Sequence, residues 1–357
     1  MPTLYDREMT QEDLTRLSGD LSQVAGIRLM TLTEGREAGV RIADVRTGSG
    51  LRFQVTLDRG MDLSQAEYKG VPLAWRSPAG DAHPSYYEPE GKGWLRTFPG
   101  GLMTGCGLTS AGAPSLDEGE QCGQHGRLSH LAATEISSST RWEGTECRFV
   151  LTGVVHEYLP FSYHLVLRRT IETTLGKSAI FFRDLVRNQG TTRTPLMMLY
   201  HFNIGWPLVS PATRLLLRAT GVRPRDADAA PGMGRERECE PPSAGYREQV
   251  FYHDLVADAG GFNTATLVNR PLGLGLFVRS RKAELPFFTQ WKMMGEGMYV
   301  VGLEPGNCLV EGRARERASG RLSFLEPGEE REFVLECGVL DGEPELQKFM
   351  TSHDLLG

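Results

Sequence analysis

The chain lacks the features that mark secreted, membrane-spanning and nucleic-acid-binding proteins. Its six cysteines are scattered without a Cys-x-x-Cys pair, which is typical of reduced thiols in a cytoplasmic protein. No apolar run approaches the length that crosses a bilayer, and the polar N-terminus has no signal-peptide pattern. Lys and Arg number 39 against 45 Asp and Glu, without a basic stripe. We therefore expect a cytoplasmic protein that partners neither nucleic acid nor membrane.

Helical signals are also few, whereas strand signals run through most of the chain. "TQEDLTRLSGDL" contains a Thr-x-x-Asp start typical of a capping box, which predicts a short helix in the polar segment 1–24. "EPELQKFMTSHDLL" predicts a second helix at the C-terminus. Between them, segments such as "ECRFVLTGVVHEYL" and "MYVVGLEPG" follow one another without helices, and many of them alternate apolar and polar residues. This order favours an all-β antiparallel sandwich over βαβ units.

The length of 357 residues exceeds that of a usual domain, but a large all-β domain can absorb it. We find no repeat, linker or low-complexity tail, so we predict a single domain covering 1–357. Two stretches interrupt the strand pattern. Residues 76–122 are rich in Gly and Pro, and residues 219–245 are rich in charges and prolines, which predicts a long loop excursion. Long loops on a rigid β scaffold often carry binding residues.

Three residues in separate segments are candidates for acid–base or binding chemistry. His201 interrupts the apolar stretch "MMLYHFNIGWPL", and a histidine exchanges protons near neutral pH. Glu304 ends an apolar run before a Pro-Gly turn, where partial desolvation would raise its basicity and suit a general base. His125 stands between two glycines in "CGQHGRLSH", so a ligand can approach closely. The alternatives are a hydrogen-bonded core histidine, a rim glutamate paired with arginine, and an incidental turn histidine.

Other charged and aromatic residues form weaker candidates. Arg127 follows the His-Gly pair, and Arg59 lies in "LDRGMD", where the alternative is a hairpin turn with a local ion pair. Trp291 and Lys292 place an aromatic surface beside a cation in "FTQWKMMGEG", which would suit the C–H face and hydroxyls of a sugar. The alternative for Trp291 is core packing. No HExxH-type motif surrounds the histidines, so no metal site is predicted from motifs.

These motifs together resemble a known family. The His-Gly pair, "HFNI", "LEP" and the closing "LEPGEEREF" occur in an order similar to that of the aldose 1-epimerases, or galactose mutarotases. The resemblance covers roughly residues 25–345. "LDRGMD", "HGR" and "LEPGNC" are most similar to an uncharacterised bacterial branch of that family.

The resemblance implies an all-β supersandwich of the galactose mutarotase-like type that binds a sugar and needs no cofactor. Glu304 would match the base that takes the proton of the anomeric hydroxyl, and His201 the acid that protonates the ring oxygen. His125 would match a histidine that binds substrate hydroxyls.

The chain also departs from the family pattern. The family's sugar-binding arginine is absent from the region before the His-Gly pair, so Arg127 or Arg59 could replace it. Asp254, with His253 beside it, is the candidate for the family's substrate-binding aspartate.

Three hypotheses for function follow, and all involve a small-molecule sugar. The first is a cofactor-independent mutarotase. The second is an isomerase or epimerase acting at a carbon other than C1, in which His125, His201, Glu304 and His253 could converge on a metal. The third is a non-catalytic carbohydrate-binding protein, although a matched acid and base argues for catalysis. The sequence names neither the sugar nor the oligomeric state.

Overall fold

A computed structural model describes residues 1–355, and β-strands make up most of its regular structure. The α-helices are α1 (Gln11–Leu17), α2 (Arg313–Ala318) and α3 (Glu343–Ser352). Short 3-10 turns cover Leu21–Gln23, Gly35–Glu37, Pro84–Tyr86, Gly93–Thr97, Leu128–His130 and Ala230–Gly232. None of the helices within residues 1–355 is long and apolar enough to span a membrane.

The strands are numbered in chain order. They are β1 (Thr3–Leu4), β2 (Arg7–Glu8), β3 (Gly26–Thr31), β4 (Arg41–Arg46), β5 (Leu51–Thr56), β6 (Asp62–Tyr68), β7 (Val71–Pro72), β8 (Met103–Leu108), β9 (Ser115–Asp117), β10 (Glu120–Cys122), β11 (Thr134–Glu143), β12 (Glu146–Leu159), β13 (Tyr163–Thr174), β14 (Ala179–Asn188), β15 (Thr194–Gly205), β16 (Thr213–Leu217), β17 (Ala219–Pro224), β18 (Gln249–Leu255), β19 (Phe262–Asn269), β20 (Leu274–Arg281), β21 (Phe287–Gly295), β22 (Met298–Gly306), β23 (Ser323–Leu325) and β24 (Glu330–Asp341).

Two large antiparallel sheets form the body of the protein. The first has 12 strands in the order β17-β18-β21-β22-β15-β8-β6-β5-β4-β3, with β7 added to β6 and β23 added to β15. The second has 8 strands in the order β11-β12-β13-β14-β24-β20-β19-β16. The predicted all-β antiparallel architecture with few short helices is therefore confirmed.

The two sheets bury their facing side chains in one apolar core. Tyr200 and Phe202 of β15 enter this core from the larger sheet, and Phe182 of β14 enters it from the smaller. The rings of Phe182 and Phe202 meet edge to face, with centroids 6.3 Å apart. Because side chains alternate along a strand, the residue between Tyr200 and Phe202 must point to the other face of the larger sheet. That residue is His201.

A buried polar network also joins the two sheets. Arg169 of β13 has no exposed surface, and its guanidinium binds both carboxylate oxygens of Asp184 on β14. Its Nη1 donates to the backbone oxygen of Gly60 at 2.8 Å. The hydroxyl of Tyr200 donates to Asp184 at 2.7 Å, and a carboxylate oxygen of Asp62 on β6 lies 3.6 Å from Arg169. One buried cation thus holds groups from both sheets.

Several local expectations agree with the structure. The hydroxyl of Thr10 caps α1 by accepting a hydrogen bond of 3.0 Å from the backbone N–H of Asp13, and the Asp13 carboxylate accepts one of 3.0 Å from the backbone N–H of Thr10. "ECRFVLTGVVHEYL" and "MYVVGLEPG" coincide with β12 and β22. The predicted C-terminal helix corresponds to α3; Leu356, at the end of that prediction, and Gly357 lie outside the described residues.

Both stretches expected to interrupt the strands contain strands. Residues 76–122 include β8, whose six residues are all buried in the middle of the larger sheet. Its glycines permit close packing, because a Cβ on Gly107 would lie 2.5 Å from the backbone oxygen of Met197. Residues 219–245 begin with β17, the edge strand of the same sheet. The glycines of residues 76–122 therefore mark a tightly packed strand, and the prolines of residues 219–245 lie at and beyond an edge strand. Neither stretch is a loop alone.

Candidate functional site

His201 and Glu304 form a buried pair in the middle of the larger sheet. In the register of β15 and β22, Phe202 lies opposite Leu303, which places His201 across from Glu304. Since Phe202 and Leu303 both enter the core, His201 and Glu304 point to the opposite face. The Nε2 of His201 lies 3.3 Å from Oε1 of Glu304, and the side chains are only 7% and 2% exposed. An acid and a base thus lie within contact distance of each other.

This pair lies in a cleft with a volume of about 610 Å³, which is in the usual range for a small-molecule site. Aromatic side chains form much of its wall: Trp94, Phe98 and Trp291. The rings of Trp291 and His201 have centroids 5.5 Å apart at a steep angle. The remaining lining is mixed in polarity and includes Gln124, His125, Arg225, Asp226, Glu248, Thr289, Glu311 and Arg315.

Burial changes the proton affinity of both members of the pair. It raises the pKa of Glu304 to about 8, with a smaller contribution from the negative charge of Glu248. It lowers the pKa of His201 to about 3, with a further contribution from His125. Both shifts favour the uncharged forms because desolvation penalises charge. At neutral pH the pair is therefore uncharged overall and holds one labile proton.

His125 lies against the same pair from a strained turn. Its φ is +56°, a left-handed conformation that costs a non-glycine residue about 1–3 kcal/mol. Its backbone N–H donates to Gly112 at 2.8 Å, and its carbonyl accepts from Gly107 at 3.1 Å. The His125 ring is centred 5.7 Å from that of His201, and burial lowers its pKa to about 4. A neutral imidazole thus faces the cleft beside the acid–base pair.

Some polar atoms of the cleft have no partner within residues 1–355. They are Nδ1 of His125, Nδ1 of His201 and Oγ1 of Thr289, all of which are buried. Thr289 of β21 lies directly opposite Glu304 of β22, so its hydroxyl belongs to the same face. Unpaired buried polar groups are costly in a folded protein. Their concentration at one cleft leaves hydrogen-bonding capacity there for a bound molecule or water.

The sequence patterns did not identify Arg225 and Glu248. Arg225 directly follows β17 and donates to Asp226 at 2.7 Å and to Glu248 at 3.1 Å. Glu248, just before β18, also accepts from the indole N–H of Trp291 at 3.0 Å. These residues meet because β17 and β18 pair at the sheet edge. Only the charge and proline content of residues 219–245 pointed to this region.

Two predicted binding residues have structural partners away from the cleft. Arg59 is buried and donates to the carbonyls of Ala82 and Thr97 at 2.7 and 2.8 Å. Lys292 is also buried, and its ammonium lies 2.7 Å from a carboxylate oxygen of Glu240. Because Trp291 faces the cleft, its neighbour Lys292 on the same strand must face the other way.

The remaining predicted residues also lie outside the cleft. Arg127 lines a neighbouring cavity instead. Asp254 is exposed on β18, and the ring of His253 binds Gln290 at 2.9 Å. Of the predicted site residues, the structure therefore brings His125, His201, Trp291 and Glu304 together at one cleft. Within residues 1–355, no three His, Cys, Asp or Glu side chains are grouped so as to hold a metal ion.

Comparisons with known proteins agree with this architecture. The model of a family described as a domain of unknown function (DUF4432) matches residues 37–339. No curated protein matches the sequence. Among solved structures, a Klebsiella pneumoniae protein provisionally described as an aldose 1-epimerase is 23% identical, with a TM-score of 0.88 and coverage of 93% of this chain and 88% of that one.

Two further solved structures extend the likeness. A galactose mutarotase-like protein from Clostridium acetobutylicum is 12% identical, with a TM-score of 0.63 and coverage of 89% of this chain and 99% of that one. Galactose 1-epimerase from Lactobacillus acidophilus is 13% identical, with a TM-score of 0.57 and coverage of 89% and 100%. These likenesses confirm the galactose mutarotase-like fold that the sequence motifs implied.

Proposed function

The chain belongs to the DUF4432 family, whose description names no activity, and we propose that it interconverts the anomers of a sugar by acid–base ring opening. The observation that carries this proposal is the contact of 3.3 Å between His201 and Glu304 in the cleft. The names of the structural neighbours, which include an aldose 1-epimerase and a galactose 1-epimerase, support the same reaction class.

The geometry of the pair suits the two oxygens that react. In a cyclic sugar, the anomeric hydroxyl oxygen and the ring oxygen are bonded to the same carbon, so one pair of neighbouring groups can reach both. Glu304 as carboxylate takes the hydroxyl proton, the O–H electron pair forms the carbonyl, and the bond from C1 to the ring oxygen breaks. His201 as imidazolium gives its proton to that ring oxygen. Rotation about C1–C2 and the reverse steps then close the ring as the other anomer.

The electrostatics of the pair favour this exchange. The uncharged pair that predominates at neutral pH first becomes carboxylate and imidazolium when its proton passes from Glu304 to His201. Ring opening turns it back into carboxylic acid and imidazole, so the net charge of the pair does not change. The pKa values of about 8 for Glu304 and about 3 for His201 favour the uncharged form that follows proton transfer. The buried carboxylate therefore acts as a stronger base than an exposed one would. No further reactant is needed to balance the step.

The cleft walls would hold the sugar around this pair. Trp291, Trp94 and Phe98 offer apolar ring faces for the C–H groups of the sugar. Arg225 and Glu248, which are already paired, offer a donor and an acceptor at the rim for hydroxyls. His125 and Thr289 add polar atoms at the floor. We assign these residues to substrate binding.

An NMR screen of aldoses and ketoses tests the proposal. Saturation transfer between anomers measures ring opening, and new resonances would reveal a different sugar. We expect faster anomer exchange for at least one sugar with no new species. A new sugar signal would instead favour epimerisation at another carbon, and binding without exchange would favour a non-catalytic protein; either outcome contradicts the proposal. The matched control is the variant Glu304→Gln.

The pH profile of kcat/KM should follow the shifted pKa values of the pair in the free protein. Catalysis needs the form of the pair in which His201 and Glu304 share one transferable proton. This form predominates from about pH 3 to about pH 8. We expect a plateau through neutral pH and a fall of about tenfold per pH unit above pH 8, where the proton is lost. Ordinary pKa values of 4.5 and 6.5 would instead start the fall above pH 6.5. Anomer exchange in several buffers, with the uncatalysed rate subtracted, distinguishes the two profiles.

Because Gly302 has no side chain, it leaves room for the side chains of the catalytic pair. A Cβ at this position would lie 2.8 Å from Oε1 of Glu304 and 2.9 Å from Cβ of Trp291. Trp291 lies opposite Gly302 in the adjacent strand and cannot withdraw easily, so the Glu304 carboxylate would have to move. Because small displacements of a reacting group are costly, we expect Gly302→Ala to lower kcat about 10²-fold with a small change in KM.

The matched control for that variant is Gly295→Ala, at the end of the neighbouring strand. There the added methyl group would meet the flexible end of Met293 at 2.9 Å. We expect near-normal kcat for this control and an unchanged circular dichroism spectrum for both variants. Equal kcat values for the two variants would show that Gly302 does not set the position of Glu304.

A further inference from the structure

A second cavity lies directly beside the cleft, on the other side of one short turn. It has a volume of about 550 Å³, and its walls include Tyr87, Thr109, Ser110, Arg127 and Tyr163. Gly123 and Gly126 of the turn face this cavity, whereas Gln124 and His125 between them face the cleft. We propose that this cavity is a second binding site, which takes a neutral, hydroxyl-rich molecule such as a monosaccharide.

The walls of the cavity combine aromatic surface with unused hydrogen-bonding groups. Tyr87 and Tyr163 are half-buried; one face of the Tyr87 ring stacks on His130, which leaves the other face and the Tyr163 ring as apolar surface for the C–H side of a sugar. The hydroxyl of Ser110 is buried, and the residue is only 4% exposed, yet it has no hydrogen-bond partner within residues 1–355. Such a group is costly unless a ligand or water satisfies it.

Arg127 adds a planar set of donors at the opening of the cavity. It is exposed, and it forms no ion pair within the part of the chain that the structure describes. Its backbone is held by a hydrogen bond of 2.9 Å from its N–H to the carbonyl of Gly107. A fixed backbone and a free guanidinium suit a residue that binds a ligand through pairs of hydroxyl groups.

The charges around the cavity decide against an anionic ligand. The carboxylates of Glu90 and Glu120 line it together with Arg127. Below it, Glu157 is buried and accepts hydrogen bonds of 2.6 Å from the backbone of Leu108 and the hydroxyl of Thr109. Glu120 is paired with Arg313 at 2.6 Å, and the same guanidinium also pairs with Asp117 at 2.8 Å, so Arg313 does not neutralise Glu90 or Glu157. The local balance is negative, and a sugar acid or a phosphate would be repelled.

Calorimetry and ligand-observed NMR on the full chain test this site, with a panel of neutral hexoses and pentoses as probes. We expect binding to the wild-type protein at two independent sites. Trp291→Ala should weaken one binding event, and Arg127→Ala should weaken the other about tenfold, as expected for hydrogen bonds to a charged group. Tyr163→Phe keeps the ring and removes only the hydroxyl. We therefore expect the second binding event to persist in this variant, with a smaller loss of affinity than in Arg127→Ala.

Several results would overturn the inference. They are a single binding event in the wild-type protein, no effect of Arg127→Ala on any event, or tighter binding of a uronic acid than of the matching neutral sugar. Arg168→Ala, an exposed arginine on β13, is the control and should leave both events unchanged. Anomer exchange is measured separately on the same samples. If no anomer exchange is found, the Arg127-dependent binding event should still be seen. Failure of the proposed function can therefore be distinguished from failure of the second-site inference.

Discussion

Glu304→Gln should abolish most anomer exchange while sugar binding persists. The amide keeps the shape of the carboxylate in a site that is 2% exposed, but it cannot accept the proton of the anomeric hydroxyl. Loss of a general base typically lowers the rate by about 10²–10⁴-fold. Because proton transfer belongs to the transition state, the loss should appear in kcat, with KM nearly unchanged. His201→Asn should give a comparable loss, since it removes the other partner of the same transfer.

Saturation transfer with a sugar that the wild-type protein clearly processes provides the measurement. Glu146→Gln is the control, because that carboxylate is exposed at the start of β12 on the other sheet. Ligand-observed NMR on the same samples checks that the sugar is still bound. Unchanged exchange in Glu304→Gln would show that the mutarotase-like mechanism does not operate here and that only the fold is shared.

Arg169→Met should destabilise the folded protein by about 3–5 kcal/mol, the usual cost of removing one partner of a buried ion pair. Arg169 binds the carboxylate of Asp184 through two nitrogens and has no exposed surface. Without it, Asp184 would keep only the hydroxyl of Tyr200 as a donor in that network. Asp62, whose pKa burial already raises to about 7, would also lose a nearby positive charge. The loss thus affects both sheets at once.

The adjacent residue offers a matched control for this prediction. Arg168 lies on the same strand, its side chain is 56% exposed, and it pairs with Glu135 at 3.4 Å. Exposed ion pairs contribute roughly 0–1 kcal/mol, so Arg168→Met should have little effect. Urea unfolding followed by circular dichroism gives the free energy of unfolding for both variants. A similar value for the two would mean that Arg169 is not what joins the sheets.

The strands were predictable where the sequence alternates or forms a short apolar run that ends at a turn. β12 coincides with its predicted segment because apolar and polar residues follow the period of a half-covered strand, whereas β22 is an apolar run that ends at Pro-Gly and is buried almost throughout. β8 was not predicted, since its sequence "MTGCGL" contains two glycines and no alternation. Its burial depends on neighbouring backbones that approach too closely for side chains, which is a tertiary property.

The site was predictable only where single residues carried a distinct chemistry. His201 and Glu304 drew attention as ionisable groups in apolar strands, and the register of β15 and β22 brings them together. Arg225 was missed because it reaches the cleft only through the pairing of β17 with β18 at the sheet edge. The many charges and prolines of residues 219–245 hid the strand signal of β17. Lys292 was grouped with Trp291 although neighbouring residues on a strand face opposite sides. Arg59 was a candidate for a sugar-binding arginine, but its Nη1 and Nη2 donate to backbone carbonyls instead.

The position of His201 and Glu304 within paired strands ties the site to the cooperativity of folding. Both residues lie on central strands of the larger sheet, so they meet only when β15 and β22 pair in the correct register. A slip of one residue would turn a side chain of this pair into the apolar core. Local fluctuation of a loop cannot create or remove such a pair, whereas unfolding of the sheet removes it completely. In a denaturant titration, activity should therefore disappear in the same transition as strand structure, with no inactive but folded species preceding it.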